Sequence, residues 1–135
     1  MIGLQFTPWR NITAIKDKAA IQRWLQDVAS TAHRVFRAGS EASRGGRIYR
    51  KRGGRVHRAS APGAWPARDS GGLLGSIRTV VTQSSAEIGT SRHYSGYLRS
   101  GTRKMARRKM SDNALREAIP MARGRMGSFA RFRAG

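Results

Sequence analysis

The chain contains no cysteine. That single absence excludes a disulfide framework, a thiolate-ligated zinc site and thiol catalysis together. Acid is scarce as well: seven Asp and Glu stand against 27 Lys and Arg, a formal net charge of +20 over 135 residues. A chain this basic repels itself at low salt and is drawn to polyanions, whether nucleic acid, an anionic membrane or an acidic protein ring. No apolar run approaches the ~18 residues a membrane span needs, and the N-terminus lacks the charged-then-apolar layout of a secretion signal. The expectation is a soluble chain made inside a cell, with no membrane partner. Hydrophobic residues make up 39%, below average but above the range of disordered chains. The length fits a single domain over residues 1–135.

Patterns for catalysis are missing too. His33, His57 and His93 lie far apart and form no HExxH or metal pair. Gly96 and Gly101 have P-loop spacing, but Thr102 stands where the phosphate-binding Lys must be. Two-metal chemistry needs clustered carboxylates, whereas Asp17, Asp27, Glu41, Asp69, Glu87, Asp112 and Glu117 are scattered, mostly beside Arg or Lys. The expectation is a non-enzyme without cofactor or metal.

What the chain does have is unevenly placed positive charge. Residues 1–43 carry six basic and three acidic side chains; residues 44–135 carry 21 and four. Arg44, Arg47, Arg50, Lys51, Arg52, Arg55 and Arg58 fall in one fifteen-residue stretch without an acid. Arg outnumbers Lys 22 to 5, a bias that suits phosphate because the guanidinium fork binds it bidentately. High-GC codon usage gives the same ratio.

Periodicity supplies the elements. Ile2, Leu4 and Phe6 alternate with Gly3 and Gln5, a short strand closed by Pro8. Thr13 or Asn11 can cap the segment that follows. Over about residues 14–38, Ile21, Trp24, Leu25, Val28, Ala32, Val35 and Phe36 recur at three- and four-residue steps, which predicts an amphipathic helix with Gly39 at its stop. Residues 39–72 are irregular; within them Ile48–Arg50 and Val56–Arg58 flank Gly53-Gly54 and read as a hairpin arm, residues 44–60. An isolated two-stranded hairpin is marginal in water, so the arm is expected to order against a partner. Asp69 or Ser70 can cap a turn of helix through Leu73 and Leu74. Strands are predicted at 77–83 and 86–90, joined at Ser84-Ser85. Tyr94, Tyr97 and Leu98 suggest a short helix broken at Gly101. A last helix follows a Ser111 or Asp112 cap, with Pro120 as its stop or kink, and a basic tail occupies residues 123–135. One helix-period segment followed by short period-two runs indicates an α+β fold: a long N-terminal helix on a small, mainly antiparallel sheet, with an extended basic hairpin arm and short C-terminal helices.

Four segments carry a resemblance. They are Arg47-Ile48-Tyr49-Arg50-Lys51-Arg52-Gly53; His57 to Gly63; Pro66-Ala67-Arg68-Asp69-Ser70-Gly71-Gly72-Leu73-Leu74-Gly75-Ser76-Ile77, followed by Ile88-Gly89-Thr90; and Tyr94-Ser95-Gly96-Tyr97-Leu98-Arg99-Ser100-Gly101-Thr102-Arg103-Lys104-Met105. In this order and spacing the chain resembles the tail-component, or tail-completion, family of long-tailed double-stranded-DNA bacteriophages over about residues 47–119. Members commonly carry Glu where this chain has Arg99-Ser100, and an Arg-Pro where it has Arg107-Arg108-Lys109. The first departure removes an acid available for an inter-subunit ion pair.

The resemblance implies a structural subunit of the virion neck, assembled in the host cytoplasm into a homo-oligomeric ring of six, with twelve as the alternative. Its neighbours would be a head-completion or portal-side ring and the tail terminator or tail-tube proteins. On that reading the seven arm cations face double-stranded DNA in the channel, without sequence specificity, or an acidic neighbouring ring. Ile48, Tyr49, Val56, Phe129 and Phe132, which the arm and tail cannot bury alone, would form subunit interfaces. Tyr94 and Tyr97 are interface anchors or core residues with surface hydroxyls; Trp65 caps the core or docks on a neighbour. The competing expectation is a free, sequence-independent nucleic-acid-binding protein of ribosomal or packaging type, although no RNP, KH or helix-turn-helix signature is present.

Overall fold

The structure, a computed structural model, describes the backbone of residues 2–6 and residues 18–123. The chain is α+β. In order it forms β1 (Ile2–Phe6), α1 (Lys18–Ala42), β2 (Ile48–Arg50), β3 (Val56–Arg58), α2 (Gly72–Ser76), β4 (Ile77–Val81), β5 (Ala86–Thr90), α3 (Ser95–Ser100) and α4 (Ser111–Arg123).

The three- and four-residue spacing of apolar side chains along α1 places Ile21, Trp24, Leu25, Val28, Ala29, Ala32 and Phe36 on one buried face. β1, β5 and β4 form an antiparallel sheet in that order, with β5 central and registers Leu4 to Ile88 and Thr79 to Ile88. In β5 the period of two turns Ala86, Ile88 and Thr90 toward the helices, all buried. The α1 helix lies over β4 and β5, and α4 over β1 and β5, so the two helices pack side by side on one sheet face. The buried stripe of α4 is mostly alanine (Ala114, Ala118 and Ala122, with Leu115). Small side chains on that stripe suit close packing against α1. The β4–β5 connection is a tight turn: Thr82 N–H donates to Ser85 O at 2.8 Å and Thr82 Oγ1 accepts from Ser85 N–H at 3.0 Å.

Several predicted boundaries are corrected. The α1 helix does not stop at Gly39 but continues to Ala42. Glycine serves a close approach instead: a Cβ there would lie 2.6 Å from Trp65 Nε1. The indole meets Phe36 edge-on at 5.5 Å and 77°. Past the glycine, the carbonyl of buried Ser40 accepts the Arg68 N–H at 3.3 Å. Pro120 does not end α4, which runs on to Arg123; Ala122, two residues beyond the exposed Pro120 and one turn beyond buried Ala118, is buried and holds the last turn down. Neither Ser111 nor Asp112 caps that helix. Asn113 Oδ1 accepts the Met110 N–H at 3.2 Å, and Met110 O accepts the first helical bond from Ala114, so the reciprocal half of a capping box does the work. Strand β4 ends at Val81 rather than residue 83 because Thr82 is taken into the turn. The N-terminal caps proposed at Thr13 and Asn11, the Pro8 stop, and the tail beyond Arg123 with Phe129 and Phe132 lie outside the described residues.

Candidate nucleic-acid interface

The arm rises from the end of α1. Strands β2 and β3 pair in antiparallel register, Ile48 to Arg58, Tyr49 to His57 and Arg50 to Val56. Gly53 and Gly54 supply the two left-handed positions (φ 86° and 79°) that turn the chain between them. Below the strands the ladder continues, with Ala59 N–H donating to Arg47 O at 2.9 Å and Gly46 N–H to Ala59 O at 2.8 Å.

The chain itself supplies the arm's partner. Asp69, on the segment returning to α2, accepts a hydrogen bond from Lys51 Nζ, meets Arg55 Nη2 at 3.3 Å and lies 3.7 Å from His57 Nδ1. The Lys51 hydrogen bond, opposed by burial and helped by the His57, Lys51 and Arg55 charges, holds its carboxyl below the usual carboxylate range. Asp69 is thus the clasp of the arm and not the cap of α2, whose first turn has Gly71 ahead of it and Ser70 Oγ accepting from Gly72 N–H at 3.4 Å.

A second anchor sits lower. Arg108 donates to Ser60 Oγ at 2.7 Å, to Ser60 O at 3.1 Å and to Ala106 O at 2.7 Å. Gly63 N–H donates to Arg107 O and Lys109 N–H to Ala64 O, both at 3.0 Å, tying the return segment to the loop before α4. Lys109 also pairs with Glu117 at 3.1 Å and stands 5.5 Å above the Trp65 ring.

These contacts sort the cations. Lys51 and Arg55 are held by Asp69, and Arg47 lies 5.7 Å over the Tyr49 ring. Arg44, Arg50, Arg52 and Arg58 are exposed and pair with no acid among the described residues. In the second basic stretch Arg99 faces Asp112 at 3.9 Å, while Arg108 and Lys109 are structural; Arg103, Lys104 and Arg107 remain exposed to solvent. The same arm exposes apolar surface, with Ile48 at 51%, Tyr49 at 49% and Val56 at 58%. Tyr97 on α3 is exposed and Tyr94 packs edge-on against His93 at 5.8 Å. Trp65 takes the core-capping position on Phe36.

Charge composition located the arm but missed Asp69, Arg68 and Arg108. One signal was available for Asp69: it is the only acid between Glu41 and Glu87, set just after the most cationic stretch. Among the described residues no three His, Asp or Glu side chains gather as metal ligands, and no helix is long and apolar enough to cross a membrane. Comparison with family models, with curated proteins and with solved structures returns no match.

Proposed function

We propose that the chain is a structural subunit of a bacteriophage neck, a tail-completion ring that joins the DNA-filled head to the tail and surrounds the DNA channel. The observation that carries this reading is the arm, which combines exposed, acid-free arginines with exposed Ile48, Tyr49 and Val56 on one clasped hairpin. The ordered motifs of residues 47–119 support it, since they are the ones that resemble the tail-completion family. An apolar hairpin face is covered when it reaches the next copy, and a head-to-tail contact of that kind closes into a ring if the rotation permits. Arginines on the same hairpin then neutralise passing phosphates without reading bases. Six copies is the expected number, with twelve the alternative.

The test is genetic and visual together. Interrupting the gene should leave DNA-filled heads and finished tails unjoined, and intact particles should carry one ring of six copies at the junction. Joined particles lacking the protein would contradict the proposal. The free nucleic-acid binder is favoured by the same unpaired arginines, and predicts protein distributed along DNA with no ring in the particle.

A further inference from the structure

We infer that the root of the arm holds a phosphate-binding cleft, distinct from the exposed arginines of the arm's tip. A cleft of about 420 Å³ opens between β3 and the returning segment. Arg44, Arg55, Arg58 and Arg68 line it, with His57 and a single carboxylate, Asp69. Four arginines therefore share the lining with one acid. That acid is already engaged by Lys51 and Arg55, so Arg44, Arg58 and Arg68 have no anionic partner among the described residues. Like charges gathered in one cleft repel unless an anion joins them.

The backbone adds donors. The bonds Lys51 N–H to Arg55 O and Ala59 N–H to Arg47 O set which residues of the hairpin face each other through hydrogen bonds. By the alternation of an antiparallel ladder, Val56 and Arg58 are the non-bonded positions, and their N–H groups point out of the outer edge of β3. Four consecutive lining residues, 55–58, show that the cleft runs along that edge. Strand-edge amides beside fixed cations form an anion-binding concavity.

A phosphate group fits this donor set better than a carboxylate. Asp69 shows what a carboxylate takes up: two oxygens, satisfied by one Lys and one Arg. Three further arginines and two amides at one cleft suit an anion with more oxygens arranged around a centre, and Arg forks bind phosphate bidentately. The ligand class is a phosphodiester backbone or a free oligophosphate. The inference stands on the cleft alone, since the neck subunit and the free nucleic-acid binder would use it equally.

Inorganic pyrophosphate is the probe, titrated into the full-length chain at about 0.15 M salt while the arginine Nε–H and backbone amide signals are followed by NMR. Saturable shifts are expected at Arg44, Arg58 and Arg68 and at the Val56 and Arg58 amides, with smaller shifts at Arg50 and Arg52. The R58Q/R68Q double variant should bind pyrophosphate at least about tenfold more weakly, because charge-assisted bonds are the strong ones; R23Q/R116Q, at exposed positions of α1 and α4, should bind as the parent does. A short DNA duplex that displaces pyrophosphate from the same signals assigns the cleft to a nucleic-acid backbone. A duplex that leaves pyrophosphate in place supports the cleft as a seat for a free oligophosphate. Shifts that follow solvent exposure, the tip first and without saturation, overturn the inference. So does an oligoglutamate peptide that outcompetes pyrophosphate. Neither result bears on ring assembly, which the particle experiment reads separately.

Discussion

The body and the arm of this protein are held by different forces. In the body, α1, α4, β4 and β5 share one buried cluster in which Leu25, Val28, Phe36 and Ile88 have no exposed surface. In the arm, Ile48, Tyr49 and Val56 are about half exposed, and what fixes the hairpin is one carboxylate, an Arg108–Ser60 contact and a few backbone bonds. Apolar burial is not weakened by charge screening, whereas exposed ion pairs are. Salt should loosen the arm before it loosens the body. Damage to one should therefore leave the other largely intact.

The largest expected effect lies in the core. Phe36→Ala should lower the free energy of unfolding by about 3–5 kcal/mol in urea denaturation, because a fully buried ring is lost and Trp65 loses its edge-on neighbour. Ile48→Ala on the arm should change it by less than about 0.5 kcal/mol. An arm variant as damaging as the core variant would show that the two regions form one cooperative core.

Two adjacent arginines divide the same way. Arg108→Ala removes two charge-assisted bonds to Ser60 that bind the arm's root to the loop before α4, and one to Ala106 within that loop, and should cost about 2 kcal/mol. Arg107→Ala, an exposed neighbour, should fall within about 0.5 kcal/mol by the same denaturation curve.

Gly39→Ala gives a change of sign. Alanine normally stabilises a helix interior by about 1 kcal/mol over glycine. Here the added methyl meets the Trp65 ring, and overpacking of this kind costs about 1–3 kcal/mol. A lower melting temperature with a shifted tryptophan emission is expected; an unchanged emission and a raised melting temperature would mean that the indole does not rest on α1.

The smallest effect is the clasp. The Asp69 carboxyl is held below its usual range first by the Lys51 hydrogen bond, so the clasp is complete above that range and is lost as acid takes the pH down through the depressed value. Amide exchange in β2 and β3 should accelerate there before exchange in α1 does. Asp69→Asn should reproduce that loss at neutral pH and abolish the acid response.

How much of this was legible in the sequence follows from the range of each interaction. The α1 stripe and the β4–β5 hairpin are local patterns, periods of 3.6 and 2, and both are found where they were expected apart from their ends. The ends were misread because their causes are remote: Gly39 answers to Trp65, and the last turn of α4 is held by burial of Ala122 despite Pro120. In the candidate site, charge density marked the arm as a block. Which cations are spoken for depends on where the chain returns, with Lys51 and Arg55 meeting an acid 18 and 14 residues away and Arg108 meeting Ser60 at a separation of 48. No spacing rule in the sequence carries that information.

The central claim is that the unpaired arginines of the arm meet phosphate while the body only carries them. The direct measurement is DNA affinity as a function of salt for the full-length chain and for the triple variant R44S/R50S/R52S, with urea unfolding measured beside it. Each phosphate contact contributes about −0.9 to the slope of log affinity against log salt. The account predicts a slope flatter by up to about three units in the variant, with unfolding unchanged. An unaltered slope with intact folding would contradict it, and would make the arm a contact between proteins alone.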